Sequence, residues 1–295
     1  MLKNFTEVLD KAKKMKNIKL AVVSAHDEEV LEAVEEARKE NIADSILIGD
    51  KDKILDIMKK KNILPEGFKI INIKDETESA LKAIELVKKK KVHCIVKGKI
   101  KTPTLMKSIV NKEYGILTGQ LLSHILIISP KKTNNFILIS DGGMVIKPSL
   151  KDKEGIIKNA LLVAKSLKLK PVQVALLSGP PCLDDKNASG KDAGLLAAEF
   201  KAKYSGSLKF EITGPVDFEE TLKFKHPANV FIMPEIETGN IVGKSFMYLT
   251  DSDCGLLILG AKVPVVVTSR ADTAQTKLNS IALACLAAKT KVNFN

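Results

Sequence analysis

Lys19-Leu-Ala-Val-Val-Ser-Ala-His-Asp-Glu-Glu-Val-Leu-Glu-Ala-Val-Glu-Glu-Ala-Arg-Lys-Glu40, followed by Ala43-Asp-Ser-Ile-Leu-Ile-Gly-Asp50, decides the fold class. Leu20 to Val23 is an unbroken apolar run, short enough for a strand and apolar on both sides. Such a strand is buried on both faces of its sheet. Asp27 to Glu40 reads as a helix. Within it Val30, Leu31, Val34 and Ala37 recur at helical spacing, with charged residues between them. Ser45 to Gly49 returns as a second apolar strand. This is one strand–helix–strand unit of a parallel sheet.

The same alternation continues outward in both directions. Phe5 to Lys16 reads as an opening helix. Lys51–Lys61, Glu76–Lys90 and Thr104–Asn111 are helices, separated by strands Lys69–Ile73 and Val92–Lys97. His124–Ser129 and Phe136–Ser140 read as a hairpin about the turn Pro130–Asn135. A second series follows: helix Lys151–Leu167, strand Val172–Ser178, helix Lys191–Lys203, strand Leu208–Ile212, helix Asp217–Phe224, strand Asn229–Met233 and helix Thr238–Leu249. Strands Gly255–Leu259 and Pro264–Thr268 lead into a last helix, Ala271–Ala288. The expectation is an α/β chain of two subdomains with mostly parallel sheets and a cleft between them, dividing near Gly142–Pro148.

Composition narrows the function. The 295 residues carry a net charge of +12, and 45% are hydrophobic, which is enough for a packed core. There is no Trp and aromatics are 4%, against a stacking-rich binder of single-stranded nucleic acid. The basic residues are 45 lysines and only two arginines, Arg38 and Arg270. The lysines are spread over polar helix faces, and no nucleic-acid module is present. No apolar run approaches the ~18 residues of a membrane helix, and Met1–Asp10 lacks the pattern of a signal peptide. Cys94, Cys182, Cys254 and Cys285, with His26, His93, His124 and His226, show no metal-ligand or disulfide spacing. A reducing cytoplasm is expected.

Ligands of parallel sheets lie at the carboxyl ends of strands, and four such ends attract notice. After Val92–Lys97 comes Gly98-Lys-Ile-Lys-Thr-Pro-Thr104, with Lys97, Lys99 and Lys101 before a helix expected to have Thr102 as N-cap and Pro103 at its first position. This is an anion-binding arrangement, or equally a capped loop with solvated lysines. In Val265-Val-Val-Thr-Ser-Arg-Ala-Asp272, Ser269 is placed to cap the last helix with Arg270 in its first turn. An arginine there opposes the helix dipole unless an anion binds. Met233-Pro-Glu-Ile-Glu-Thr-Gly-Asn240 and Ile139-Ser-Asp-Gly-Gly-Met144 are the other two; Asp141 either orients a ligand or holds the turn. No phosphate-binding P-loop, dinucleotide fingerprint, nucleophile elbow or zinc-protease helix is present.

These segments together resemble the phosphate acetyltransferase and phosphate butyryltransferase family, nearest to the butyryltransferase branch. The resemblance shows in Ala21–Val34, Ala43–Asp50, Val96-Lys-Gly98 with Thr102, Asn111–Glu113, Thr118-Gly119 and Leu122-Ser-His124. It is densest in Met233–Asn240, Gly260–Asp272 and Lys277–Leu283. It implies an isocitrate/isopropylmalate dehydrogenase-like arrangement in which the C-terminal segment returns to the first domain: residues 1–147 with 262–295, and 148–261. It further implies transfer of a short acyl group between coenzyme A and inorganic phosphate, usually by a homo-oligomer. Coenzyme A is then a substrate, with no tightly bound cofactor and no metal. It makes Ser269, Arg270 and Asp272 catalytic candidates. Lys97, Gly98, Thr102, Ser123, His124, Asp141, Glu237 and Asn240 become substrate-binding candidates. The chain departs from the family pattern at Gln275, where a glutamate base is expected, and at Leu117, where an arginine is. Thr213-Gly-Pro215 and Ser178–Asp185 also fit poorly. These departures keep open a second possibility, a non-catalytic or altered-substrate paralog that binds coenzyme A or a phosphorylated ligand.

Overall fold

The computed structural model describes residues 1–131, 135–179, 188–204 and 210–292. In chain order the elements are α1 (Phe5–Lys13), β1 (Lys19–Val23), α2 (Glu28–Lys39), β2 (Asp44–Gly49), α3 (Lys51–Lys60), β3 (Lys69–Asn72), α4 (Glu76–Lys88), β4 (Cys94–Lys97) and α5 (Thr102–Ile109). Next come β5 (Ser123–Pro130), β6 (Ile137–Ser140), α6 (Leu150–Ser166), β7 (Val172–Leu177), α7 (Ala188–Tyr204), β8 (Phe210–Val216), α8 (Phe218–Leu222), β9 (Val230–Ile232) and α9 (Ile236–Leu249). The chain closes with β10 (Ser252–Leu259), β11 (Val265–Val266) and α10 (Ala274–Ala288). The sheet is mixed and mostly parallel.

The chain forms two compact units. One comprises residues 6–120 with 255–289, the other 1–5 with 121–254 and 290–295. Expectation put these limits at 147/148 and 261/262. The β5–β6 hairpin stays with the second unit because β6 pairs with β9 in parallel and α6 packs on β5, β6 and β9. The expected hairpin turn 130–135 falls partly outside the described residues, as do the first residues of the strand expected at Leu208 and most of Ser178–Asp185.

In the first unit the strand order is β3-β2-β1-β4-β11-β10. The chain leaves β1 toward β2 and β3, then returns to β4 on the other side of β1. The carboxyl ends of β1 and β4 therefore form a topological switch point. β11 continues the parallel run, with Val266 beside Val96. Leu20 to Val23, Ile95 and Val265 are fully enclosed, each such aliphatic side chain contributing about 1.5–3 kcal/mol. α10 covers this sheet and packs on α2. It has no solvent face from Lys277 to Ala287, so its length is set by packing rather than by amphipathic pattern.

Gly98 makes the junction possible. Its N–H donates to Val23 O at 2.8 Å, and Lys99 N donates to Ser24 O at the same distance. A Cβ on Gly98 would lie 2.3 Å from Ser24 O.

In the second unit β6, β9, β7 and β8 run parallel in that order, with β5 antiparallel at β6. The ends of adjacent strands β6 and β9 launch the loop 141–144 and helix α9. The two meet backbone to backbone: a Cβ on Gly239 would fall 2.1 Å from Asp141 O. Gly239→Ala is expected to destabilise the protein by about 1–3 kcal/mol through this overpacking, read as a lower urea midpoint at unchanged slope.

Candidate functional site

Three adjacent strand ends of the first unit carry one group of candidates. Lys97 closes β4 with its side chain buried and its Nζ 3.1 Å from Gly98 O. Burial is the largest influence on it and lowers its pKa; the nearby charges of Arg270 and Lys277 push the same way, while Asp27 and Glu76 oppose them. A buried lysine pressed by two further cations is a site that gains from an anion.

Thr102 is the first helical residue of α5 rather than its cap. Lys101 occupies the cap position and offers no side-chain hydrogen bond. Pro103 is tolerated one residue further in because first-turn N–H groups have no intrahelical partner. The helix thus begins without a side-chain cap of its own, beside Lys97, Lys99 and Lys101, while Lys101 N donates to Glu76 Oε2 of α4 at 3.3 Å.

The last helix is capped by Thr273, whose hydroxyl accepts from Thr276 N at 3.2 Å. Ser269 is therefore not its cap, and Arg270 lies before its first turn. Residues 269–272 form a separate loop instead. The buried Asp272 carboxylate accepts from Ser269 N at 2.6 Å, Asp272 N returns to Ser269 O at 3.2 Å, and Ala271 N reaches Ser269 Oγ at 3.3 Å. Asp272 holds the loop shut, and the local hydrogen bonds outcompete continuation of the helix. Ser269 and Arg270 are exposed at its tip.

Lys277 is the residue that the sequence reading left out. It is 2% exposed, and its ammonium donates to Asp272 O and lies 3.5 Å from Ser269 O. The signal was present as a lysine opening the otherwise uncharged run Lys277–Ala288.

Gln275 lies elsewhere. Its amide donates to Asn279 Oδ1 at 3.0 Å, and it lines a cavity of about 340 Å³ with Glu32, Glu35 and Glu36 of α2 and Leu278. None of Lys97, Ser269, Arg270 or Asp272 lines that cavity. Leu117 is bridged through its backbone to Ala261, while Thr118 Oγ1 donates to Gly260 O at 2.7 Å.

The second unit gathers the other candidates at the start of β5, the end of β6 and the start of α9. Asp141 is buried; its two oxygens accept from His124 N at 2.9 Å, Gly143 N at 2.6 Å and Met144 N at 2.8 Å. Of its two sequence readings, these bonds favour the turn-holding one. Ser123 is fully buried and receives Asn159 Nδ2 at 2.8 Å, so it too is tied into the scaffold. His124 is half-buried, with its ring beside Gly143. Glu237 and Asn240 are exposed in the first turns of α9, and Asn240 Nδ2 donates to Gly142 O at 2.9 Å. Among the described residues no group of three or more His, Cys, Asp or Glu side chains is placed to hold a metal.

Comparison with known proteins gives the family and the fold. The profile of the family described as Phosphate acetyl/butaryl transferase matches residues 4–80 and 76–285. Phosphate butyryltransferase of Clostridium acetobutylicum is 37% identical over 99% of this chain and 100% of its own length. Phosphate acetyltransferase of Thermotoga maritima is 34% identical over 96% and 99%. Among solved structures, a branched-chain phosphotransacylase from Enterococcus faecalis superposes with a TM-score of 0.77 at 26% identity, over 93% of this chain and 100% of that one. A 4-hydroxythreonine-4-phosphate dehydrogenase from Klebsiella pneumoniae shares the fold alone, at TM-score 0.59 and 10% identity over 93% and 100%. With residues 4–285 matched by the family profile and relatives above 30% identity spanning nearly all of it, the chain belongs to the phosphate acetyl/butyryl transferase family.

Proposed function

We propose that this enzyme exchanges a short acyl group between coenzyme A and inorganic phosphate, acyl-CoA plus phosphate giving acyl phosphate plus CoA. The observation that carries the reading is the exposed Ser269–Arg270 tip, backed by the buried cations Lys97 and Lys277. In the forward direction a phosphate oxygen attacks the thioester carbonyl carbon. The new C–O bond forms a tetrahedral oxyanion, the C–S bond breaks, and the sulfur leaves as thiolate. The proton lost from phosphate ends on that sulfur.

Each residue has a part that its surroundings allow. The Arg270 guanidinium offers two parallel donors to phosphate oxygens. Ser269 N is taken by Asp272, so that amide cannot serve the oxyanion. The Ser269 hydroxyl accepts from Ala271 N and keeps its own proton to donate. The capless start of α5, from Thr102, adds amide donors and a favourable dipole, and Gly98 lets the backbone come close. Preorganised donors of this kind supply the largest catalytic gain in such reactions. Asp272, a catalytic candidate in the sequence, works here as the clamp of the loop. In the reverse direction the coenzyme A sulfur attacks the acyl phosphate carbonyl as thiolate, and the proton it loses ends on the released phosphate.

In the second unit His124, Glu237 and Asn240 are the candidate recognition residues, with Ser123 and Asp141 as their supports. The reading keeps the enzyme in a reducing cytoplasm, where the buried Cys94, Cys254 and Cys285 stay thiols. Self-association is part of it, and the exposed Ile241, Tyr248 and Leu249 of α9 are the apolar side chains it would cover.

Thiol release from acetyl-, propionyl- and butyryl-CoA, with and without phosphate, tests the reaction. Release that depends on phosphate is expected; release from none of them by folded protein defeats the reading. Arg270→Lys should lower kcat/KM by about 10²-fold or more, because a point charge does not replace the fork. Gln275→Glu should leave kcat unchanged, since its side chain sits among the glutamates of α2; a rise in kcat would restore it to the chemistry. In an NMR titration of Lys97, phosphate should move the depressed pKa upward, because a bound anion favours the charged ammonium.

A further inference from the structure

We propose that Lys277 is a positioning residue for the phosphate site, holding the Ser269–Asp272 loop in its anion-receiving shape through its buried ammonium. The inference rests on the reaction assigned above. A lysine at this place has three costs. It is 2% exposed, it sits in the first turns of α10 where the helix dipole repels a cation, and Lys97 and Arg270 are close enough for their charges to act together. Among the described residues Lys277 forms no ion pair. Its partners are instead the carbonyls of Asp272 and Ser269.

A buried charge held only by carbonyls is expensive unless something nearby requires it. What those carbonyls share is the loop. The Asp272 carboxylate grips Ser269 N from the side-chain side, and Lys277 grips the same two residues through their backbone oxygens. Together they fix both ends of the segment that presents the Ser269 hydroxyl and Arg270. The ammonium also places positive charge behind that tip, so that a doubly charged anion arriving in front meets Arg270, Lys97 and Lys277 at once. Lys277 touches no reacting atom in this arrangement; it acts through the loop.

The test compares Lys277→Met, which keeps the stem and removes the ammonium, with Lys277→Gln, which keeps a donor. Asp75→Ala serves as a stability control, because it removes the α4 N-cap that accepts from Glu78 N at 2.8 Å. Two quantities are read: KM for phosphate against KM for acyl-CoA, and the rise in melting temperature that inorganic phosphate alone produces. Lys277→Met should raise KM for phosphate about 10- to 100-fold, leave KM for acyl-CoA nearly unchanged, and lose most of the phosphate-induced thermal shift. Lys277→Gln should recover part of both. Asp75→Ala should lower the melting temperature while keeping the full phosphate shift.

An unchanged KM for phosphate in Lys277→Met overturns the inference, as does a change equal to that of Asp75→Ala. Should Lys277→Met fail to fold, Lys277→Gln decides alone, and a wild-type phosphate shift in it overturns the proposal. Absence of phosphate-dependent thiol release from the wild type would defeat the assigned reaction instead; the thermal shift would still test the loop.

Discussion

Two hydrogen bonds, Gly98 N to Val23 O and Lys99 N to Ser24 O, tie the end of β4 to the end of β1. Everything at the candidate phosphate site depends on that tie. It forces a residue without a Cβ at position 98 and sets where Lys97 is buried. It also starts α5 close to the switch point of the sheet. β11 then runs beside β4, which brings the Ser269–Asp272 loop to the same edge. A chain with a bulkier residue at 98 would have to part the two strand ends, and the loops built on them would separate with them.

The electrostatics follow from the same geometry. A strand end buried among apolar neighbours makes a lysine costly, yet Lys97 and Lys277 both lie there, with Arg270 exposed in front. The carboxylates around them are each committed to a backbone N–H: Asp272 to Ser269 N, Asp27 to Val30 N and Glu76 to Lys101 N. Net positive charge is left at the strand ends, the place where an α/β sheet offers its loops to ligands. In the second unit Asp141 is used in the same way, as an acid turned inward on three backbone donors. Both units spend a buried carboxylate on loop shape and leave the exposed positions for recognition.

The fold was legible because its strands are buried on both faces. Leu20–Val23 and Cys94–Val96 read as unbroken apolar runs, and Val30, Leu31, Val34 and Ala37 recur at helical spacing between them; the caps at Asp27, Asp50 and Asp75 are added by the structure. Legibility weakened where local hydrogen bonding competes with helix formation. Thr102 and Ser269 both look like caps in sequence, but the helices start at Thr102 itself and beyond Thr273. β11 is reduced to Val265–Val266 although Pro264–Thr268 reads as a strand, because its two neighbours offer partners only at Ile95, Val96 and Ile258. Gln275 occupies a family position of interest, yet only packing against α2 reveals which way it faces. Lys277 was hidden among 45 lysines: burial of a single long side chain depends on the tertiary neighbours of its helix, and no local pattern records it.

Unit completion has an order imposed by connectivity. The first unit takes residues 6–120 and then waits for 255–289. Until β11 arrives, β4 has an open edge on the side opposite β1 and lacks the cover of α10. An exposed apolar edge strand is the usual template for pairing with another chain, and the contacts that close it span most of the sequence, which slows their formation. During synthesis the nascent chain therefore carries an unfinished sheet while the whole second unit is made.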